Sequence, residues 1–144
     1  MFCVMITGID KSGKSTLVDA LNKKTNYEHY VIERCPTTVR HFAELLRRPF
    51  DEVRFHQLCQ SLNTNSVLHV CLFAEDWLIK ERFIEANESP LPGDLTFHEH
   101  QNHIMMAFTR ANWQHRLFLN TGRLSINVCV NIILKKLKEM KNAY

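Results

Sequence analysis

Eight residues near the amino terminus, Gly8-Ile9-Asp10-Lys11-Ser12-Gly13-Lys14-Ser15, fit the pattern G-x-x-x-x-G-K-[ST] in full. Each residue type has a physical reason at its place. Glycines let the backbone curl so that several N–H groups converge on an anion. A helix opening at Lys14 adds the positive end of its dipole. The Lys14 ammonium reaches toward the β- and γ-phosphates of a nucleoside triphosphate, and the Ser15 hydroxyl is placed to meet Mg²⁺. Gly8, Ser12, Gly13, Lys14, Ser15 and Thr16 are therefore the expected phosphate-side contacts of ATP. The pattern follows an apolar run at 2–7 and precedes a helical pattern, which is the context this chemistry needs.

A second candidate cluster is Glu33-Arg34, followed by Pro36. A transferred phosphoryl group spreads negative charge over its oxygens. A planar arginine can hold two of them at once, while an adjacent carboxylate keeps a metal in place. Glu33 joins Ser15 as the expected metal holder, and the bland alternative is a surface ion pair. Further along lie Glu75 and Asp76, then Asn120 to Arg123. Arg123 is of the type that stacks on a purine. If the acceptor of a phosphoryl group were a hydroxyl, its proton would need a base. Only Asp10, Glu33, Glu75 and Asp76 stand where one is needed.

These residues must be carried by elements that bring them together. The run 2–7 is continuous and apolar, as for a strand buried on both faces. Position 14–24 reads as a helix with Leu17, Val18 and Leu21 on one face. A short strand follows at 30–33, ended by Pro36. Helical patterns cover 39–47, with Val39, Phe42, Leu45 and Leu46 apolar, and then 50–62. A third strand is expected at 67–73, a helix at 77–86, and a long helix at 96–112 with a stripe at Ile104, Met105 and Phe108. The fourth strand is 116–119, and an amphipathic helix with a basic end closes the chain at 125–140. Strands alternate with helices throughout, which predicts an α/β fold with a parallel sheet covered on both faces. Ligands of such sheets sit at the carboxyl ends of the strands. The candidate clusters named above all fall there.

Composition bounds the reading. The chain has 144 residues, 45% hydrophobic and 23% charged, which fits one packed domain spanning 1–144 with no linker or repeat. A net charge of +3 suits anionic ligands and is too small to argue for nucleic acid. No apolar run approaches the roughly 20 residues that span a bilayer. Five cysteines at irregular spacing read as free, buried thiols in a reducing compartment, hence a cytoplasmic protein. His98, His100 and His103 lack the i, i+4 pair of zinc-protease helices and read as a solvated face. The lysines at 135, 136, 138 and 141 read as a helix end rather than a DNA contact. Trp77 and Trp113 read as packing residues.

The stretch GIDKSGKST resembles the phosphate-binding loop of thymidylate kinases and related nucleotide kinases, and Glu33-Arg34 with Pro36, Thr38 and Phe42 resembles the strand-end motif of their phage and bacterial members. That resemblance implies a three-layer P-loop NTPase fold and transfer of the ATP γ-phosphoryl, with Mg²⁺, to a deoxynucleoside monophosphate. It places Asp10 on the acceptor sugar, Lys11 and Arg34 on the transferring charge, Arg82 near the donor nucleotide, a lid at about 86–95 and the donor base by Asn120 to Arg123. It also implies a homodimer. Two departures stand out. No lysine or arginine lies between Arg82 and Arg110, and only 25–29 separates the first helix from the second strand, where the family usually has a further strand and helix. A sheet of about four strands follows. Relatives that phosphorylate a nucleoside or a modified DNA base, and a nucleotide-binding module of reduced catalytic power, are the alternative functions.

Overall fold

The computed structural model describes residues 1–9, 11–33, 35–87 and 96–143, with only the backbone of Phe97. Its elements run β1 (Cys3–Gly8), α1 (Lys14–Thr25), β2 (Tyr30–Ile32), α2 (Pro36–Leu45), α3 (Glu52–Leu62), β3 (Val67–Phe73), α4 (Asp76–Glu85), α5 (Phe97–Ala111), β4 (Arg116–Asn120) and α6 (Ile126–Asn142). The strands form one sheet in the order β2-β1-β3-β4, and every neighbouring pair is parallel. This is the expected α/β architecture with a four-stranded sheet flanked by helices.

Strand alternation sorts the core. Val4 and Ile6 of β1, with Leu68, Val70 and Leu72 of β3, pack on Leu17 and Leu21 of α1 and on Cys129, Val130, Ile133 and Leu137 of α6. The opposite face sends Cys71 against Cys35, Phe108 and Trp113. Ile9, Ala74, Ile79, Phe83 and Ile104 continue that side under α4 and α5. β1 and β3 are buried on both faces, and for that reason they read as unbroken apolar runs. Their register pairs Gly8 with Leu72, so the loop after β1 and the segment after β3 emerge side by side.

Helix starts follow local chemistry. Asp51, Thr96 and Ser125 cap α3, α5 and α6, each accepting a backbone N–H with its side chain. The second helix begins at Pro36 rather than at 39, because the fixed φ of proline suits a first turn. Its inner face also differs from the expected one. Thr37, His41 and Ala43 are buried, whereas Val39 is 49% exposed. Trp113 is buried as expected, but Trp77 is exposed and does not pack into the core. Cys35, Cys71 and Cys129 are buried, and Cys3 and Cys59 only partly. Among the described residues no helix is long and apolar enough to cross a membrane.

Candidate nucleotide-binding site

The loop between β1 and α1 is built by backbone conformations few residues tolerate. Gly8 has φ +153°, Lys11 +65° and Gly13 +101°. At Gly8 space forbids a side chain as well: a Cβ there would lie 2.6 Å from Ser12 Oγ and 2.7 Å from the Leu72 carbonyl oxygen. Gly8 therefore lets the loop turn against the backbone of β3. Gly13 is the N-cap of α1 and has no side chain with which to bond a backbone N–H of the first turn. Those N–H groups lie at the positive end of the helix dipole, where an anion is favoured. The Ser12 hydroxyl is wholly buried beside Gly8 and lacks a hydrogen-bond partner among the described residues. An uncapped helix start, a cradle closed to any Cβ and an orphaned buried hydroxyl fit a row of phosphates.

Lysines, a hydroxyl and a carboxylate stand around this loop. Lys14 Nζ donates to the Gly8 carbonyl at 2.9 Å, which arches the ammonium back over the loop. Lys11 Nζ lies 6.0 Å from the centre of the Phe83 ring. Ser15 Oγ donates to Glu33 Oε1, so the structure brings together the two residues expected to hold Mg²⁺. A hydroxyl and a carboxylate with water and phosphate oxygens suit the hard, oxygen-seeking character of that ion. Among the described residues no cluster of three or more His, Cys, Asp or Glu is arranged to hold a metal by itself. Asp10 and Arg34 lie outside the described residues, as do 88–95 of the expected lid.

Arg82 makes contacts the sequence did not reveal. Its Nη1 donates to the Lys11 carbonyl at 2.7 Å and to Thr121 Oγ1 at 3.3 Å, and Nη2 donates to the Thr121 carbonyl at 3.3 Å. Thr121 Oγ1 in turn donates to the Ser12 carbonyl at 2.6 Å. Arg123 is tied elsewhere, with Nε 2.9 Å from Glu75 Oε1. The Glu75 carboxyl is held below the ordinary carboxylate range by a hydrogen bond from its own backbone N–H first, then by Arg123 and Asn120. Asp76 accepts from Gln101 Nε2 at 3.2 Å and meets His98 Nδ1 at 2.8 Å. Burial pushes the Cys71 thiol up to about 12 and raises Cys35 and Cys129, so these thiols stay protonated and inert.

Beside the loop, a groove of about 540 Å³ opens between α2, α3 and α5. Thr37 lines it, one residue before Thr38, whose hydroxyl meets that of Thr7 near the close of β1. Arg40, His41, Phe55, His56, His103 and Arg110 give it basic and aromatic walls, and Glu44, ion-paired with Arg40, adds one acid. Arg40 lies over the Phe55 ring at 5.0 Å. His100 is not on a solvated face as expected. It is buried, and its Nδ1 lies 3.3 Å from His41 Nε2. The sequence could not have shown this groove, because its walls come from three helices with no common motif.

No family model matches the sequence, and no curated protein matches it. Among solved structures, the fold is similar to the YorR protein of Bacillus subtilis, crystallised in complex with phosphorylated GDP. The TM-score is 0.81, covering 99% of this chain and 98% of that one, at 15% sequence identity. At that identity the likeness is one of fold, and it establishes the architecture of the whole chain as that of a solved α/β protein.

Proposed function

We propose that this chain is a Mg²⁺- and ATP-dependent phosphotransferase of the thymidylate kinase-like kind, with a deoxynucleoside monophosphate as acceptor. The observation that carries the reading is the phosphate loop, where Gly13 opens α1 without a side-chain cap, Lys14 arches over the turn, and Ser15 meets Glu33. The nucleotide found in the YorR structure, on the same fold, supports it. Bound Mg²⁺ would neutralise charge shared between the phosphates. The protein's own part is to hold: loop amides and Lys14 on the donor phosphates, Ser15 and Glu33 on the metal side, and Arg34 and Lys11 on the moving charge. Asp10 would orient the acceptor sugar, and the basic, aromatic groove would receive the acceptor.

Among the described residues, the three candidate carboxylates Glu33, Glu75 and Asp76 support a monophosphate over a hydroxyl as acceptor. A hydroxyl needs a free base, and a phosphate monoester is already ionised near neutral pH. Glu75 is held ionised by its partners and is a weak base, Asp76 is engaged by Gln101 and His98, and Glu33 is engaged by Ser15. The test is side-by-side incubation with radiolabelled ATP and deoxynucleoside monophosphates, nucleosides or DNA with modified bases. Label should pass to a monophosphate, and Lys14→Ala should lower the rate at least 100-fold. Transfer only to nucleosides or DNA would reassign the acceptor. Calorimetric binding of Mg-ATP without transfer to any acceptor would leave a binding module.

A further inference from the structure

We infer that Arg82 and Thr121 are positioning residues that set the direction of the phosphate-loop amides from outside the loop. The inference rests on the nucleotide-binding reading for its purpose, and on geometry for its substance. A trans peptide is planar, with its C=O and N–H pointing to opposite sides. Thr121 Oγ1 draws the Ser12 carbonyl outward at 2.6 Å, so the Gly13 N–H of the same peptide must face the inside of the loop. Arg82 Nη1 draws the Lys11 carbonyl outward at 2.7 Å and so fixes the preceding peptide too. The Ser12 N–H on that peptide's other side turns inward, to the Ile9 carbonyl at 3.1 Å.

The clamp is rooted in the rigid part of the molecule. The Thr121 backbone N–H donates to the Phe73 carbonyl at 2.9 Å, which fastens it to the end of β3. Arg82 extends from α4 and binds both the carbonyl and the hydroxyl of Thr121. Three separate elements therefore meet behind the loop. The guanidinium also leaves a fixed positive charge on the outer side of a loop built for anions, where it costs no reorganisation when phosphates arrive. Arg82, which the resemblance places near the donor nucleotide, bonds the loop's backbone at Lys11.

Three probes separate this role from general stability. Thr121→Val removes the hydroxyl with little change of shape, Thr121→Ser keeps it, and Arg82→Met removes the guanidinium while keeping the apolar stem. Binding of Mg-ATP and of inorganic tripolyphosphate is measured by calorimetry. The Gly13 amide is followed by NMR without any ligand, and urea denaturation monitors the fold. Thr121→Val and Arg82→Met should each weaken both ligands about tenfold or more, with Thr121→Ser close to wild type. The Gly13 amide resonance should shift in Thr121→Val and stay in place in Thr121→Ser. Unchanged affinity and an unmoved Gly13 resonance in Thr121→Val would overturn the inference, as would loss that Thr121→Ser fails to restore. If wild-type protein bound neither ligand, the nucleotide reading would fail, while the Gly13 resonance would still decide the clamp.

Discussion

Gly8 and Gly13 occupy the two glycine places of one motif, yet the structure asks different things of them. A Cβ on Gly8 would press on the backbone oxygen of Leu72, which cannot swing away without parting β1 from β3. A Cβ on Gly13 would meet nothing nearer than 3.7 Å, and only its φ of +101° resists a side chain. Gly8→Ala should therefore lower stability by about 2–3 kcal/mol, and Gly13→Ala by about 1 kcal/mol, in urea denaturation without nucleotide. Equal losses would mean that the close approach of β3 is not the constraint. The motif residues themselves were legible in the sequence because loop chemistry demands fixed types at fixed spacing. Glu33 was legible as a partner of Ser15 for another reason, its place at the end of the second strand, where ligands of parallel sheets sit. The grip of Arg82 and Thr121 was not, because their main partners are backbone carbonyls, which leave no mark on residue type.

Elements were read well where burial is two-sided or periodic, as in β1, β3 and α6, and less well where polar groups form the packing. α5 is the clearest case. Gln101 lies nearly buried and clasps one residue from both sides, accepting the Ala74 N–H at 2.9 Å and donating to the Ala74 carbonyl at 2.7 Å. It thereby replaces the ladder that ends with β3 and holds the segment bearing Glu75 and Asp76. A glutamine inside a polar helix gives no sequence signal for that task, and neither does His41, whose buried contact with His100 displaced the expected apolar face of α2. Gln101→Leu would strand both backbone groups of Ala74 in the core. It should cost about 2–4 kcal/mol, whereas Asn102→Ala on the exposed side should stay within about 0.5 kcal/mol. Thermal or urea unfolding of the two variants checks this, and similar small losses would show that water or backbone movement satisfies Ala74 instead.

Across the whole molecule, the two layers flanking the sheet differ in how they meet acid. The layer of α1 and α6 has an aliphatic core. The opposite layer holds His69, His41 and His100 in buried places, and desolvation lowers the pKa of each, to about 4 for His69. Near His41 and His100 stand His103, Glu44 and Glu99. The histidine neighbour disfavours charge and the two carboxylates favour it. A fourth lowered histidine, His115, stands near Lys136 at the foot of β4. A lowered histidine pKa means that the unfolded chain binds protons the fold refuses. The stability these groups contribute is present above pH 6.5 and is lost progressively as pH falls toward 4. For His69 alone the full span amounts to about 3 kcal/mol at most. Its ring is stacked 3.8 Å from Trp113, and Nε2 donates to the Leu62 carbonyl at 3.0 Å. His69→Phe should keep the stacking and lose that bond, costing about 1 kcal/mol at pH 7.5 while flattening the acid limb, so that near pH 4.5 the variant equals or exceeds the parent. Urea midpoints at the two pH values test this, and parallel pH profiles would refute it. Hydrogen exchange at pH 5 should then show α2 and α5 opening before α1 and α6. The groove between α2, α3 and α5 would loosen while the strand and helix that carry the phosphate loop still hold, so acid should weaken binding in the groove before it weakens binding of tripolyphosphate.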